Sequence, residues 1–224
     1  MLDTKLFANL PEAELRRLIA GARRRVFRRN EVVFHGGDPA DTLHLIARGR
    51  FASKVTTQFG DMVTVAVQGP GEAFGELALV EASASRSTSV IALEAGETWA
   101  VGRDDFTRIR KQYPSVNDVL VRLMAQRLRR QSELLVEALF VPAETRVLRR
   151  LCELAALYGD GGGNTVVPLT QEDVAALSGT SRATVNRILR AEAKRGTVRL
   201  TRGRTVVLDP EALAARAGRG ALTS

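Results

Sequence analysis

The run FGELALVEASASRSTSV, residues 74–90, combines a glycine, a short helix-forming stretch and an arginine at a defined spacing. Gly75 allows the backbone to approach a ligand closely, because glycine carries no side chain. The GELAL stretch that starts at Gly75 predicts one helical turn whose free N–H groups face an anion. Arg86 follows Gly75 by eleven residues, and its planar guanidinium suits bidentate contact with a phosphate. The run therefore predicts a loop that binds an anion.

Two further residues extend this anion loop. Glu76 is placed to accept hydrogen bonds from a sugar hydroxyl, and Ser87 adds a hydroxyl donor beside Arg86. Taken singly, these residues also fit ordinary roles, namely a turn glycine, a surface glutamate and a surface arginine. Their spacing as a set is more specific, and it favours a ligand that contains both a phosphate and a sugar.

The residues around this loop predict short strands. From Val32 to about Val101 the segments TLHLIARG, FASKVTTQF, MVTVAVQG and TSVIALE are alternating or β-branched, with turn residues such as GGDPAD and Gly60-Asp61 between them. Turns about every ten residues are typical of an antiparallel barrel or jelly roll. A helix is predicted before the first strand, around Leu6 to Arg25.

A long helix is predicted from Ser115 to Phe140, because this stretch contains neither glycine nor proline. One seam has the spacing of a two-stranded coiled coil, and it contains Val121, Met124, Leu128, Gln131, Leu135 and Ala138. A second apolar face contains Leu120, Leu123 and Leu134 and is expected to pack on the β domain. A helix with two apolar faces needs two partners, which predicts a homodimer. A helix buried within its own monomer remains an alternative.

The remaining chain predicts a winged helix-turn-helix. Pro142 interrupts the long helix, so residues 141–143 are interpreted as a hinge, followed by a helix from about Ala143 to Tyr158 and a GDGGGN loop. TQEDVAALSGTSRATVNRILRAEAKRG, residues 170–196, then reads as helix, turn and helix, with Thr170 and Ser181 as N-caps and Gly179 in the turn. VRLTRGRTVVLD, residues 198–209, predicts two strands joined by a turn at residues 202–204.

The predicted fold class is α+β, with an N-terminal antiparallel β-roll, a long dimerisation helix and a C-terminal winged helix-turn-helix. The corresponding domain boundaries are residues 1–114 for the β-roll, 115–141 for the dimerisation helix and hinge, and 142–224 for the winged helix-turn-helix.

The last module is strongly basic, with eight basic residues and one acid, Glu192, between Arg182 and Arg204. These basic residues lie within the predicted helix-turn-helix and wing. This favours double-stranded DNA as the partner, because phosphates attract basic side chains. Arg187 is expected to contact guanine, whose O6 and N7 atoms a guanidinium can bridge. Arg202 and Arg204 are expected to hold the DNA backbone. The predicted DNA-binding residues are Ser181, Arg182, Ala183, Thr184, Asn186, Arg187, Arg202 and Arg204.

Composition excludes several classes of site. The 224 residues carry a formal net charge of +8, which suits a partner that bears phosphates. The single cysteine, Cys152, excludes an internal disulfide and a cysteine-rich metal cluster, and two histidines cannot build a cupin-like metal site. No nucleophile and base are recognisable, so no enzymatic activity and no metal are expected. The chain shows neither a signal peptide nor a stretch long enough to cross a membrane, so a cytoplasmic location is expected.

These motifs together resemble the cyclic AMP receptor protein (CRP/FNR) family over nearly the whole chain. FHGGDPADTLHLIARG, residues 34–49, is similar to the family's early β-roll signature, and GELAL with Arg86-Ser87 resembles its phosphate-binding cassette. RLRRQSELLVEALF, residues 127–140, resembles the end of its dimer helix, and TQEDVAALSGTSRATVNRIL, residues 170–189, resembles its DNA-reading module.

The resemblance implies a ligand-responsive transcription regulator that binds an inverted-repeat operator as a dimer, with cyclic AMP as its allosteric ligand and RNA polymerase as a further partner. It implies that the ribose and cyclic phosphate are held by Gly75, Glu76, Leu77, Ala78, Arg86 and Ser87. It also implies that Gln131 and Ser132 of both subunits face the adenine, and that Val65 and Ala66 line the base pocket.

Two positions depart from the family's best-known activator. Gln131-Ser132 stands where that protein has Thr-Ser, and Ala183 stands where it has a glutamate. The base preference and the operator sequence are therefore not carried over from it. A family regulator that responds to another nucleotide, or that dimerises and binds DNA without one, remains the alternative interpretation.

Overall fold

The structure is a computed structural model that describes residues 11–58, 62–80, 85–159 and 163–218, apart from the side chains of Glu14, Ala78 and Val80. The chain divides into two compact units, Met1–Gln131 and Ser132–Ser224. The predicted turn at Gly60-Asp61, the start of the predicted leading helix and part of the predicted GDGGGN loop lie outside the described residues. The predicted three-part division at residues 114 and 141 stays a prediction.

The first unit contains two four-stranded antiparallel sheets, in the orders β1-β8-β3-β6 and β2-β7-β4-β5. Each sheet pairs strands from the beginning of the unit's sequence with strands from its end, as β1 with β8 and β2 with β7. This is the arrangement of a double-sheet jelly roll. The predicted antiparallel β-roll is therefore confirmed. Its strands are β1 (Arg23–Phe27), β2 (Val32–Phe34), β3 (Thr42–Arg48), β4 (Phe51–Thr56), β5 (Met62–Gln68), β6 (Ala73–Phe74), β7 (Ser89–Ala92) and β8 (Gly96–Gly102).

The interior of the roll is apolar and partly aromatic. One cluster of buried residues includes Phe27, Phe51 and Phe74, and the rings of Phe51 and Phe74 lie 5.3 Å apart. Among the described residues of this unit, three helices precede residue 114, and a second cluster of buried side chains packs them onto the β-roll. They are α1 (Glu12–Gly21), the short α2 (Leu77–Val80) and α3 (Arg103–Gln112).

One expectation for this region was wrong, and one helix was not expected. Helix α1 ends at Gly21, so the arginines at 23–25 do not continue the helix but lie in β1, which pairs with β8 from Arg23 opposite Ala100 to Phe27 opposite Gly96. A strand partner about 75 residues away outweighs the local helical spacing here. Helix α3 was not predicted at all, although its apolar side chains Phe106 and Ile109 are buried.

The long helix α4 (Ser115–Phe140) has the predicted bounds. Val116, Val119 and Leu120 are buried, and Leu120 belongs to the same apolar cluster as Leu43 of β3. Large apolar side chains of the predicted seam are instead exposed, with Val121 and Leu128 each 66% and Leu135 61% accessible. The helix thus has one face packed in the chain and one apolar face turned to solvent.

The second unit holds the predicted winged helix-turn-helix. Its elements are α5 (Ala143–Tyr158), β9 (Thr165–Val167), α6 (Gln171–Ser178), α7 (Arg182–Arg195), β10 (Val198–Thr201), β11 (Arg204–Val207) and α8 (Pro210–Arg216), and the strands form a small antiparallel sheet in the order β10-β11-β9. The wing turn is shorter than expected, because Arg204 pairs with Thr201 and belongs to β11.

The corner between α4 and α5 lies where Pro142 predicts it. Helix α4 ends at Phe140 and α5 begins at Ala143. Glu137 near the end of α4 forms ion pairs with Arg149, at 2.9 Å, and with Arg150 of α5. These contacts tie the two helices together at the corner, and a hinge function for it stays a prediction.

Candidate ligand and nucleic-acid sites

Arg86 lies just before β7 and points into the roll. It is only 6% exposed, and its Nη1 donates to the carbonyl oxygen of Thr42 at 2.8 Å. Its Nη2 donates to the Oγ1 of the same threonine, also at 2.8 Å. The guanidinium lies 4.0 Å from the ring centre of Phe34, a favourable cation–π contact. Thr42 and Phe34 therefore hold the cation from two sides.

The charge of Arg86 is incompletely compensated. Burial lowers its pKa, and the nearby carboxylates of Asp41, Asp38 and Glu76 oppose this shift. Asp41 forms an ion pair with Arg86 at 3.6 Å, but its side chain is 79% exposed. The Nε of Arg86 is buried and has no hydrogen-bond partner among the described residues. A buried cation with an unused donor is suited to receive an anion.

Gly75 is required for this arrangement. Its φ is +82°, a region that side-chain-bearing residues rarely adopt. A Cβ at this position would lie 2.6 Å from Nη1 of Arg86 and 2.9 Å from the carbonyl oxygen of Thr42. The sequence predicts that the backbone at Gly75 approaches a ligand closely. In the structure, this backbone also lies close to the side chain of Arg86.

Glu76 lies next to Gly75 and is 2% exposed. One carboxylate oxygen accepts a hydrogen bond from Nη1 of Arg127 on α4, while Nη2 of Arg127 donates to the carbonyl oxygen of Ala73 at 2.8 Å. The second oxygen, Oε2, is buried without a partner among the described residues. Glu76 therefore keeps an acceptor available for a hydroxyl. Arg127 was missed from the sequence, although it lies one helical turn before Gln131.

These residues surround one cavity, called here the Arg86 cavity. Its empty space, including open solvent at its mouth, is about 340 Å³. Among the predicted ligand residues, the lining contains Gly75, Glu76, Leu77, Arg86 and Ser87; it further contains Phe34, Ser53, Phe74, Thr88, Val90 and Arg127.

Other predicted ligand residues are not brought to this lining. Val65 and Ala66 lie in β5 outside it; Ser53 pairs with Ala66 and Lys54 with Thr64, so Val65 is the extra residue of a β-bulge. Gln131 and Ser132 are exposed on α4 and do not line the cavity in this chain. Ala78 belongs to α2, and its side chain is outside the described set.

His44 belongs to the core beside this cavity. It is 3% exposed, its ring stacks on Phe74 at 5.0 Å, and its Nδ1 lies 3.0 Å from the Oγ1 of Thr98. Burial, and secondly the positive charge of Arg86, lower its pKa to about 3. His44 is therefore a neutral residue of the core, as its strand position predicts.

The helix-turn-helix is formed by local sequence signals. Thr170 caps α6 through a capping box with Asp173, with its Oγ1 accepting from the Asp173 amide at 3.1 Å. Gly179 ends this helix with φ +58°, in the left-handed region. The Oγ of Ser181 accepts from the amide of Thr184 at 3.2 Å and starts α7. The predicted caps and turn are thus all present.

Helix α7 presents a basic face to solvent. Arg182, Ala183, Arg187 and Arg190 are exposed, while Val185, Ile188 and Leu189 are buried beneath them. Thr184 is half-buried, and its hydroxyl lies 3.0 Å from that of Ser181. Asn186 is also half-buried and donates its amide to the Oε1 of Gln171 on α6 at 2.8 Å. Asn186 therefore connects the two helices of the motif.

A groove separates α7 from the wing. Its lining includes Gln171, Arg182, Asn186, Arg202 and Arg204. Arg202 and Arg204 are exposed, and Nε of Arg204 donates to the Oγ1 of Thr201 at 3.2 Å. Arg199, an exposed residue of β10, adds a positive charge to the wing that was not among the predicted contacts.

The one acid of this basic segment turns inward. Glu192 is fully buried, and its Oε1 accepts from Nη1 of Arg195 and Nε of Arg216, each at 3.0 Å. Its Oε2 accepts from the hydroxyl of Thr197 at 2.8 Å. The exposed surface of residues 182–204 consequently carries basic charge without an opposing carboxylate.

The described residues offer neither a metal site nor a membrane-spanning helix. They contain no group of three or more His, Cys, Asp or Glu that could hold a metal ion. None of their helices combines the length and the apolar character needed to cross a membrane.

Comparison with known protein families agrees with both sites. A profile of the cyclic nucleotide-binding domain matches residues 24–113, and a profile of the Crp-like helix-turn-helix domain matches residues 145–216. The first covers the strands of the β-roll and the lining of the Arg86 cavity except for Arg127, which lies on α4. The second covers the two helices and the wing.

Individual proteins match along most of the chain. The "Cyclic AMP receptor protein" of Thermus thermophilus is 34% identical over 210 residues, which cover 93% of this chain and 94% of that protein. The "CRP-like cAMP-activated global transcriptional regulator" of Mycobacterium tuberculosis is 33% identical over 194 residues, covering 85% and 86% respectively. Among solved structures, the c-di-GMP responsive global regulator CLP of Xanthomonas campestris shares the fold with a TM-score of 0.76 at 21% identity, covering 88% of this chain and 99% of that one.

Proposed function

Because the chain belongs to the CRP/FNR family of transcription regulators, we propose that it is a homodimeric regulator whose affinity for an inverted-repeat operator changes when cyclic AMP binds the Arg86 cavity. The family consists of DNA-binding regulators that function as dimers and not of enzymes. We further propose that the protein is cytoplasmic, as expected from its sequence, and that it contacts RNA polymerase, as the family resemblance implies.

One observation carries the nucleotide part of this proposal. Arg86 and Glu76 are 6% and 2% exposed, and both line the same cavity. Arg86 keeps a buried Nε donor and Glu76 a buried Oε2 acceptor without protein partners among the described residues. An unused cationic donor beside an unused anionic acceptor suits a ligand with a phosphate and a neighbouring hydroxyl. A cyclic nucleotide carries both groups, with the phosphate closed onto the sugar.

The exposed apolar seam of α4 supports the homodimer. Val121, Leu128 and Leu135 recur every seven residues and are all more than half exposed. Leaving such a stripe in water is unfavourable, and pairing with the same stripe of a second copy would bury it in a coiled-coil interface. We infer that Gln131 forms a polar interruption in this seam, where the ligand meets both helices.

Calorimetric titration tests the ligand. Cyclic AMP, cyclic GMP and AMP are each titrated into the full-length protein. The proposal predicts binding of cyclic AMP and weak binding of AMP, whose phosphate is not closed into a ring. Absence of heat with all three would favour the alternative, a family regulator that dimerises and binds DNA without a nucleotide.

Coupling between the two sites gives a quantitative prediction. If cyclic AMP strengthens operator binding, the operator must strengthen cyclic AMP binding by the same factor, because the coupling free energy is shared. The nucleotide affinity is measured with and without saturating operator duplex, which a selection from random duplexes supplies. A typical coupling is about 5- to 150-fold. Identical affinities would contradict the coupling and leave nucleotide binding intact.

Arg187 and Arg202 are predicted to act differently on DNA. Replacing Arg187 with alanine should cost about 1–3 kcal/mol on the specific site and relax the preference for one guanine in each half-site. Arg202→Ala should weaken binding to all sequences similarly and flatten its salt dependence, because it removes a phosphate contact. Binding is measured by fluorescence anisotropy on specific and random duplexes over a range of salt.

Ala183 offers a gain-of-function control for this assignment. It is exposed one turn before Arg187, so Ala183→Glu should create a preference for a C·G pair next to the guanine, since a carboxylate accepts from the cytosine amino group. Selection from random duplexes reads out all three variants. An unchanged consensus with Arg187→Ala would show that Arg187 does not read bases.

A further inference from the structure

Ser53 is a polar residue in an apolar part of the β-roll interior. It lies in β4, is 6% exposed, and lines the Arg86 cavity. Phe51, two residues earlier on the same strand, and Val90, opposite Ser53 on β7, are buried apolar residues. A buried hydroxyl in such surroundings costs free energy unless it is hydrogen-bonded, so its bonding pattern is informative.

The place of Ser53 in the sheet separates it from the phosphate end of the cavity. Arg86 and Ser87 come just before β7, and Ser53 pairs with Val90 on that strand and with Ala66 on β5. Adjacent strands lie about 4.8 Å apart, so Ser53 is one strand removed from the Arg86–Ser87 segment. With the phosphate at Arg86 and the sugar at Glu76, the remaining part of a nucleotide is its base.

The Ser53 hydroxyl has a defined orientation. Its Oγ donates to the Oε1 of Gln68 at 3.1 Å, and Gln68 is itself 7% exposed. A serine has one hydroxyl proton, so this bond uses its only donor and leaves two lone pairs. Ser53 therefore presents a hydrogen-bond acceptor to the cavity.

We propose that Ser53, oriented by Gln68, selects purine nucleotides with an exocyclic amino group at position 6 over those with an oxo group there. The inference rests on the proposed function, because it concerns the ligand of the same cavity. Adenine offers an amino donor at this position, whereas hypoxanthine and guanine offer an acceptor. An acceptor facing an acceptor in a desolvated site leaves both without a donor, which is unfavourable.

The direct test compares cyclic AMP with cyclic IMP, which differ along this edge of the base. Calorimetric titration of the wild-type protein should give a preference for cyclic AMP of roughly tenfold or more, the size expected when a buried acceptor loses its donor. Ser53→Ala should reduce the preference to within about twofold, because the acceptor is removed.

The variant Gln68→Met tests whether the preference depends on the orientation of the Ser53 hydroxyl and not only on its presence. Methionine has a similar length but cannot take the Ser53 proton, so the hydroxyl becomes free to donate to the oxo group. Cyclic IMP should then bind more tightly than it does to the wild type, while cyclic AMP changes little. A loss of packing alone would weaken both nucleotides together.

Ser87→Ala serves as the matched control for a serine in the same cavity. It should weaken both nucleotides by a similar factor and leave their ratio unchanged, because both carry the same phosphate. A wild-type protein that binds both nucleotides equally, or a Ser53→Ala variant that keeps the wild-type ratio, would overturn the inference and leave the proposed function standing. A wild-type protein that binds neither would overturn both.

Discussion

Replacing Arg86 with leucine should lower the affinity for cyclic AMP by about 30- to 4000-fold, equivalent to roughly 2–5 kcal/mol for a desolvated charge contact. The loss is large because the guanidinium is 6% exposed, so water cannot replace it as the partner of the phosphate. Titration calorimetry measures the affinity of the wild type and the variant.

The fold should tolerate this replacement, because leucine fills apolar space beside Phe34 and removes a charge that burial disfavours. A thermal melt of the variant checks that it is folded. Arg86→Lys is the matched control, since it keeps the charge and loses the planar fork, and we expect it to bind with intermediate affinity. Wild-type affinity in a folded Arg86→Leu protein would remove Arg86 from the site.

The second large effect concerns stability. Replacing Glu192 with alanine should lower the free energy of unfolding by about 1.5–3 kcal/mol, because hydrogen bonds to a buried carboxylate are lost. Glu192 is fully buried and holds Arg195, Thr197 and Arg216 through its two oxygens. Without the carboxylate, the exposed Arg216 loses one of its two acidic partners; the other, Glu144, lies 2.9 Å away.

The two compact units allow this prediction to be localised. Trp99, the only tryptophan, lies in β8 of the first unit, so its fluorescence reports unfolding of that unit. Far-ultraviolet circular dichroism reports all helices, several of which lie in the second unit. In urea, Glu192→Ala should shift a dichroism transition and leave the fluorescence transition unchanged. Glu172→Ala, at an exposed position of α6, is the control and should cost less than about 1 kcal/mol. A Glu192→Ala protein as stable as the wild type would contradict the role assigned to this network.

Features that depend on neighbouring residues could be predicted from the sequence. The helix from Ala143 to Tyr158 has the predicted bounds, because Pro142 ends one helix and suits the start of the next. Thr170, Gly179 and Ser181 form the expected caps and turn, since a cap involves atoms within four residues of one another. The spacing of the turns left two architectures open, an antiparallel barrel and a jelly roll. The family resemblance favoured the jelly roll.

The part of the candidate ligand site that comes from a single loop could be predicted from the sequence. Gly75, Glu76, Arg86 and Ser87 lie within 13 residues of chain and line one cavity. Val65 and Ala66 were placed in the base pocket by resemblance, but they lie outside the lining in this chain, and a β-bulge is present at Val65. A bulge depends on how two strands pair, and that pairing is not encoded by either strand alone.

What the sequence by itself determined is therefore local: the caps, the turns, the period of α4 and the spacing of the anion loop. Only the tertiary structure decided that Thr42 occupies both Nη atoms of Arg86, that Arg127 pairs with Glu76, and that Glu192 turns away from the DNA-facing surface. The hydrogen bond between Ser53 and Gln68 belongs to the same group. Most of these contacts join residues 15 to 51 positions apart, and Glu192 depends on Arg216 24 positions away, so chain packing, and not local conformational preference, brings the partners together.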